Sequence, residues 1–146
     1  FMLVRNVMTP DPITISPNHS IGAALARMRR GGFRRLPVVE KGKLVGIITD
    51  RDLRLAMNSP FIMREGWYDS YLMEHIEVRS CMTPDPITAN ADENLLHVVQ
   101  VMRARKIGGM PVMADDRLIG IITETDLLDH LEHLLAEKNA QGVSEC

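Results

Sequence analysis

The residues best placed to do chemistry stand in two near-identical stretches, "GIITDRD" at Gly46–Asp52 and "GIITETD" at Gly120–Asp126. In each, a continuous apolar run ends on a threonine, and an aspartate follows three residues later, where a strand pattern gives way to a helix. A threonine at such a junction lies beside free backbone N–H groups and the positive end of the helix dipole. It is suited to hold a phosphate or a hydroxyl. An aspartate one turn on, Asp52 or Asp126, offers two oxygens to the vicinal hydroxyls of a ribose, a pairing that dinucleotide folds also exploit. The same spacing is close to a capping box, in which the acid merely satisfies the first N–H groups of the helix. The motif by itself leaves these two readings level.

Neighbouring residues shift the balance. In "RRGGFRRLPVV", from Arg29, four arginines surround a glycine pair, and guanidinium forks suit phosphate. The matching stretch, "RARKIGGMPV" from Arg103, puts Gly108 and Gly109 where the first has Arg34 and Arg35, so one copy offers charge and the other offers open backbone to a flat base. An exposed helix end that favours positive charge also accounts for the arginines. Catalytic groups are harder to find. Cys81 precedes an element junction and the five histidines are scattered, so no nucleophile has a paired base. His130 and His133 share a helix face near Asp126 and Asp129, but they lack a cysteine or the two-turn spacing of a zinc helix. A solvated face is the better reading there, and neither a metal nor an enzyme activity is expected.

The elements that must position these residues can be read twice. "MTPDPIT" occurs at Met8–Thr14 and at Met82–Thr88, and an offset of 74 lays Met8–Leu53 on Met82–Leu127 without a gap, with 18 of 46 positions identical. Chance does not keep register over that length, so the chain is an internal duplication. Each copy reads as strand, helix, strand, strand, helix. The extended pieces "PITI" and "PITA" come first, held off any central ladder position by their prolines. Ser20 and Asn94 cap helices whose apolar faces are Ile21, Ala24, Leu25, Met28 and Leu95, Val98, Val99, Met102. A polar turn then joins "LPVV" or "MPVM" to the runs "LVGIIT" or "LIGIIT", which read as strands buried on both faces. Each copy is too short to bury a good core alone, so the two are expected to pack together as one body.

The predicted boundaries are a first repeat at 2–57, a connector at 58–79, a second repeat at 80–137 and a fraying tail at 138–146. "WYDSYLMEHI" in the connector has the pattern of a short amphipathic helix, its aromatic rings serving a core or a dimer contact. Leu128, Leu131, Leu134 and Leu135 carry the last helix beyond what one small repeat needs, which points to a helix-packing surface.

Composition excludes several classes. With 146 residues, 45% hydrophobic and 25% charged, the chain has the make-up of an ordinary globular protein, neither disordered nor fibrous. A formal net charge of -2 gives no overall pull toward nucleic acid or anionic lipid. No apolar run reaches membrane-spanning length and no charged-then-apolar leader is seen, so a cytoplasmic protein is expected. Cys81 and Cys146 have no metal-ligand spacing and read as free thiols in a reducing compartment.

Two copies of "MTPDPIT", "MR", "PV" and "GIIT…DL" in fixed order strongly resemble a tandem pair of cystathionine beta-synthase (CBS) domains, in particular the stand-alone bacterial type linked to acetoin utilisation. The resemblance covers about 125 residues. It implies an α/β (α+β) fold of two β-α-β-β-α repeats packed by pseudo-two-fold symmetry through their sheets, with two clefts for adenosine-containing ligands such as AMP, ADP, ATP or S-adenosylmethionine. By position, Thr49 and Asp52 would serve one cleft and Thr123 and Asp126 the other, with Arg51 and Thr125 as further ligand-binding residues. The stretches Thr14, Ile15, Ser16 and Thr88, Ala89, Asn90, with Phe33, Arg34, Arg35 and Ile107, Gly108, Gly109, would flank the base and phosphates, and Arg34 or Arg35 would serve either cleft. The resemblance further implies a homodimer and a regulatory role without catalysis, the adenine nucleotide acting as a regulatory ligand and not as a cofactor. No residues remain for an enzyme or channel domain, so any output is expected to pass through an unknown protein partner or a change in assembly. Two competing readings are a structural interaction module with no ligand and nucleic-acid binding through the Arg27–Arg35 cluster. The acidic charge balance opposes the second.

Overall fold

N-capped periodic stretches become helices and the apolar runs become hairpins, in the same order twice. A computed structural model describes residues 1–57 and 66–145. In chain order the elements are a 3-10 turn at Val4–Asn6, β1 (Thr9–Pro10), α1 (Ile21–Gly31), β2 (Arg35–Glu40), β3 (Lys43–Thr49), α2 (Asp50–Met57) and α3 (Gly66–His75). A second 3-10 turn at Val78–Ser80 precedes β4 (Thr83–Pro84), β5 (Ala89–Asn90), α4 (Leu95–Arg105), β6 (Gly109–Ala114), β7 (Arg117–Thr123) and α5 (Glu124–Glu145). This is a mixed α+β fold with one four-stranded and one three-stranded sheet, the expected class.

The chain forms two compact units, Phe1–Asp11 with Ile87–Cys146 and, separately, Pro12–Pro86. Both divisions fall inside "MTPDPIT". In the Pro12–Pro86 unit the sheet runs β2-β3-β4, and Ile15 adds a parallel bridge to Val38 on the free side of β2. In the other unit the order is β1-β7-β6-β5, with β5 parallel to β6. Hence "PIT" of each copy joins its own hairpin, whereas "MTP" pairs antiparallel with the hairpin of the opposite copy. Thr9 stands across from Ile121 and Pro10 from Gly120, just as Thr83 stands across from Ile47 and Pro84 from Gly46. The residues that turn the chain between these duties, Asp11 and Asp85, have φ of 49° and 45°, a left-handed conformation that aspartate tolerates better than most residues.

The shared glycine of the "GIIT" runs now has a physical reason. A Cβ on Gly46 would lie 2.6 Å from the Met82 sulfur and 2.9 Å from the Thr83 carbonyl oxygen. A Cβ on Gly120 would meet Met8 and Thr9 at the same distances. Only a residue without a side chain lets the "MTP" edge strand approach. The 3-10 turns arrive with these strands: Val4 donates to the Glu93 carbonyl at 3.0 Å and Val78 to the His19 carbonyl at 2.8 Å. Val4 and Val78 are fully buried in the two cores, burial that stabilises by about 1.5–3 kcal/mol each.

Helix signals hold as expected. Ser20 accepts from the Ala23 N–H and Asn94 from the Leu96 N–H, and Ile21, Ala24, Met28 with Leu95, Val98, Met102 form the buried faces. The hairpin turns place φ above zero at Lys41 and Gly42 and at Asp115 and Asp116, the left-handed pair a two-residue hairpin requires. Two readings change, and one forms as expected. Strands β3 and β7 are not buried throughout, because Val45, Ile47, Leu118 and Ile119 stay partly accessible. The last helix runs on to Glu145 through residues expected to fray, since Ala136, Lys138, Ala140 and Gln141 are good helix formers. In the connector, residues 58–65 lie outside the described residues, as does Cys146. Its helix forms as α3, burying Leu72 and stacking Tyr71 on His75 with ring centroids 4.0 Å apart.

Gly46→Ala and Gly120→Ala are each expected to lose about 1–3 kcal/mol of stability in urea unfolding, the usual cost of overpacking. Lys106 ends α4 at φ 55°, where α1 has Gly32 at φ 73°. Lys106→Gly is therefore expected to raise stability by up to about 1 kcal/mol, the left-handed cost outweighing the added chain entropy.

Candidate functional site

Each unit gathers the predicted residues at one end of its own sheet. In the Pro12–Pro86 unit, register sets Arg35 across from Thr49, and the Asp50 N–H donates to the Arg34 carbonyl at 2.8 Å, fixing the Phe33–Arg35 loop beside the strand end. The Ile15 N–H donates to Pro37 (3.1 Å) and its carbonyl accepts from Val39 (2.9 Å), bringing Thr14–Ser16 along the free side of β2. Arg27 donates from its guanidinium to the Thr14 carbonyl and pins that segment to α1. The other unit repeats the plan: Gly109 faces Thr123, Glu124 donates to the Gly108 carbonyl at 3.0 Å, and Ala89 pairs with Val112.

At the strand-to-helix junctions the capping box is real. The Thr49 N–H donates to Asp52 Oδ2 at 2.8 Å, and the Asp52 N–H donates back to Thr49 Oγ1 at 3.2 Å. Thr123 and Asp126 make the same exchange at 2.9 and 3.4 Å, and the Thr123 hydroxyl also donates to Asp126 Oδ2 at 3.1 Å. One carboxylate oxygen of each aspartate thus holds the helix start. The capping and ligand readings are not exclusive, because the bond leaves Oδ1 for other duty. In the second copy that duty is already filled: the Thr9 hydroxyl donates to Asp126 Oδ1 at 2.7 Å. Sequence reasoning missed Thr9. Its only signal was its place in the duplicated motif, and the bond spans 117 positions.

The flanking residues divide into roles. The side chains of Ile15 and Ala89 are buried in the two cores, so only their backbone runs along the site. Ser16 accepts from the Asn18 N–H at 3.2 Å and Asn90 from the Asp92 N–H at 2.9 Å, which ties both side chains to the loops that lead into α1 and α4. Ile107 packs against the core. The Phe33 ring lies over Gly31, its ring carbons 2.0–2.7 Å from where a Cβ would stand. Arg34, Arg51, Thr88 and Thr125 are exposed, whereas Thr14, Arg35 and Gly108 are partly buried. His133 turns its Nδ1 to the Asp129 carbonyl at 2.9 Å, and among the described residues no three His, Cys, Asp or Glu side chains gather as a metal site. No helix among those residues is long and apolar enough to cross a membrane.

The duplicated fold defines a tandem-repeat α+β module, and comparison with known proteins supplies its family. The chain belongs to the CBS domain family, whose model matches residues 4–59 and 78–133. It is 37% identical over 136 residues to a CBS domain-containing protein of Dictyostelium discoideum, covering 92% of this chain and 94% of that one. Among solved structures it resembles a Vibrio cholerae protein assigned to acetoin utilization (AcuB), with a TM-score of 0.80 and 29% identity over 96% of this chain and 97% of that one. The CBS domain pair of protein MJ0100, solved with 5-methylthioadenosine and S-adenosyl-L-methionine, gives a TM-score of 0.74 at 32% identity, with 89% and 99% coverage. CBSX2, solved with AMP, gives 0.76 at 26%, with 91% and 98% coverage.

Burial, and then the nearby Asp52 carboxylate, push the Cys81 thiol above its ordinary value. The folded state then holds its proton to higher pH than the unfolded chain. Stability should therefore fall as pH rises above about 8.5, where the unfolded thiol ionises. Cys81→Ser should flatten that decline in denaturation measured from pH 7 to 10, and Asp52→Asn should speed alkylation of Cys81 by iodoacetamide at pH 8.

Proposed function

We propose that the chain is a regulatory module that binds adenosine-containing ligands and has no catalysis of its own. The observation that carries this reading is the duplicated Thr-x-x-Asp junction. In each unit it sets a threonine hydroxyl, a carboxylate and a helix start at the end of a strand, groups matched to ribose and phosphate. The AMP, 5-methylthioadenosine and S-adenosyl-L-methionine in solved CBS pairs of similar fold support that ligand class. The residues of the site bind and orient.

Output then passes through a partner or through assembly, because a ligand shifts an equilibrium only by its preference for one state over another. A homodimer built on the exposed Leu128, Leu131, Leu134 and Leu135 of α5 suits such a device. A cytoplasmic setting fits a nucleotide ligand.

Titration calorimetry with AMP, ATP and S-adenosylmethionine should give saturable heat for at least one of them. The melting temperature should rise with ligand, since at a hundred times Kd the folded state gains about 2.7 kcal/mol. Asp52→Ala/Asp126→Ala should abolish both effects. No heat and no melting shift with any adenosine compound would favour the ligand-free interaction module.

A further inference from the structure

The two junctions share a backbone plan but not their chemistry. We infer that they are functionally unequal: the Thr49–Asp52 site takes a phosphorylated adenosine, and the Thr123–Asp126 site does not bind one comparably, because the Thr9 hydroxyl occupies its aspartate. The inference rests on the adenosine reading above and adds which site, which form of ligand and which residues discriminate.

A carboxylate that holds a vicinal diol needs an acceptor position for each of two hydroxyls. Asp126 already fills three of its roughly four positions: Oδ2 receives the Thr123 N–H and hydroxyl at 2.9 and 3.1 Å, and Oδ1 receives the Thr9 hydroxyl at 2.7 Å. Asp52 Oδ2 receives the Thr49 N–H at 2.8 Å, but among the described residues no hydroxyl reaches its other oxygen. Thr83, which matches Thr9 under the 74-residue offset, makes no such bond although β4 pairs with β3 in the register that β1 keeps with β7. A ribose diol entering the second site competes with Thr9 for Asp126 Oδ1, whereas one entering the first meets an oxygen that no hydroxyl among the described residues holds.

Charge points the same way. Arg34 and Arg51 are both exposed, one on the loop whose carbonyl accepts from the Asp50 N–H next to Thr49 and one in the first turn of α2. Their counterparts beside Thr123 are Gly108 and Thr125, which carry no charge. Guanidinium groups add charge-assisted hydrogen bonds to a phosphate and nothing comparable to a bare nucleoside. The first site is therefore selective for the phosphorylated form.

The test is calorimetry on the full chain with AMP and with adenosine as probes. One AMP should bind per chain, with Asp52→Asn weakening it at least tenfold and Asp126→Asn less than threefold. Arg34→Gly/Arg51→Thr, which installs the residues of the second site, should reduce the preference for AMP over adenosine at least tenfold. Thr9→Val, which frees Asp126 Oδ1 and keeps a β-branched residue in β1, should create or tighten a second nucleoside site. Two equal AMP sites, equal losses from both aspartate variants, or a Thr9→Val chain whose second site is weaker would each overturn the inference while leaving the adenosine reading intact. Binding of neither probe to a wild-type chain with a cooperative thermal transition would overturn both.

Discussion

Everything at the two candidate sites depends on an edge strand of two residues lying against a glycine. Thr9–Pro10 can pair with β7, and Thr83–Pro84 with β3, only because Gly120 and Gly46 leave room for a methionine sulfur and a carbonyl oxygen at distances no Cβ tolerates. Proline suits this place. It lacks an N–H to donate, a loss that costs little on an outermost strand. The pairing draws in the preceding 3-10 turn and buries Val4 or Val78, so one small close approach carries a strand, a turn and part of a core.

That exchange also settles how the duplication is used. Each sequence copy supplies its "MTP" piece to the unit of the other copy, with left-handed aspartates at 11 and 85 marking where the chain changes allegiance. The two units are built alike, down to matching glycine contacts and matching backbone bonds at Asp50 and Glu124. Against so regular a frame, small side-chain differences at the junctions stand out as chemistry. Arg34 stands in one copy where the other has Gly108, Arg51 where it has Thr125, and Asp126 has a hydroxyl partner that Asp52 lacks among the described residues.

The capping box at each junction shows how structure and binding share a residue. The aspartate's first oxygen satisfies a backbone donor at the helix start, which fixes the side chain in one orientation and stabilises by about 0.5–2 kcal/mol. A ligand that uses the second oxygen then meets a group already ordered, so less side-chain entropy is lost on binding.

Much of this was legible in the residues. The 74-residue offset, the caps at Ser20 and Asn94, the buried helix faces, the hairpins and the threonine–aspartate junctions all follow from local rules: spacing, capping chemistry and turn geometry act within a few residues of chain. Periodicity overstated the burial of β3 and β7, because an apolar run does not say which face its neighbours cover. Nor does composition say that Ser16 and Asn90 would turn inward to their own loops. The choice of sheet for "MTP", and with it the hydroxyl of Thr9 on Asp126, was decided by tertiary structure alone. Edge pairing joins Thr9 to Ile121 and Ile47 to Thr83, distant in the chain, through backbone groups that every residue carries, and those groups leave no mark in the sequence beyond a proline, a methionine and a glycine far away.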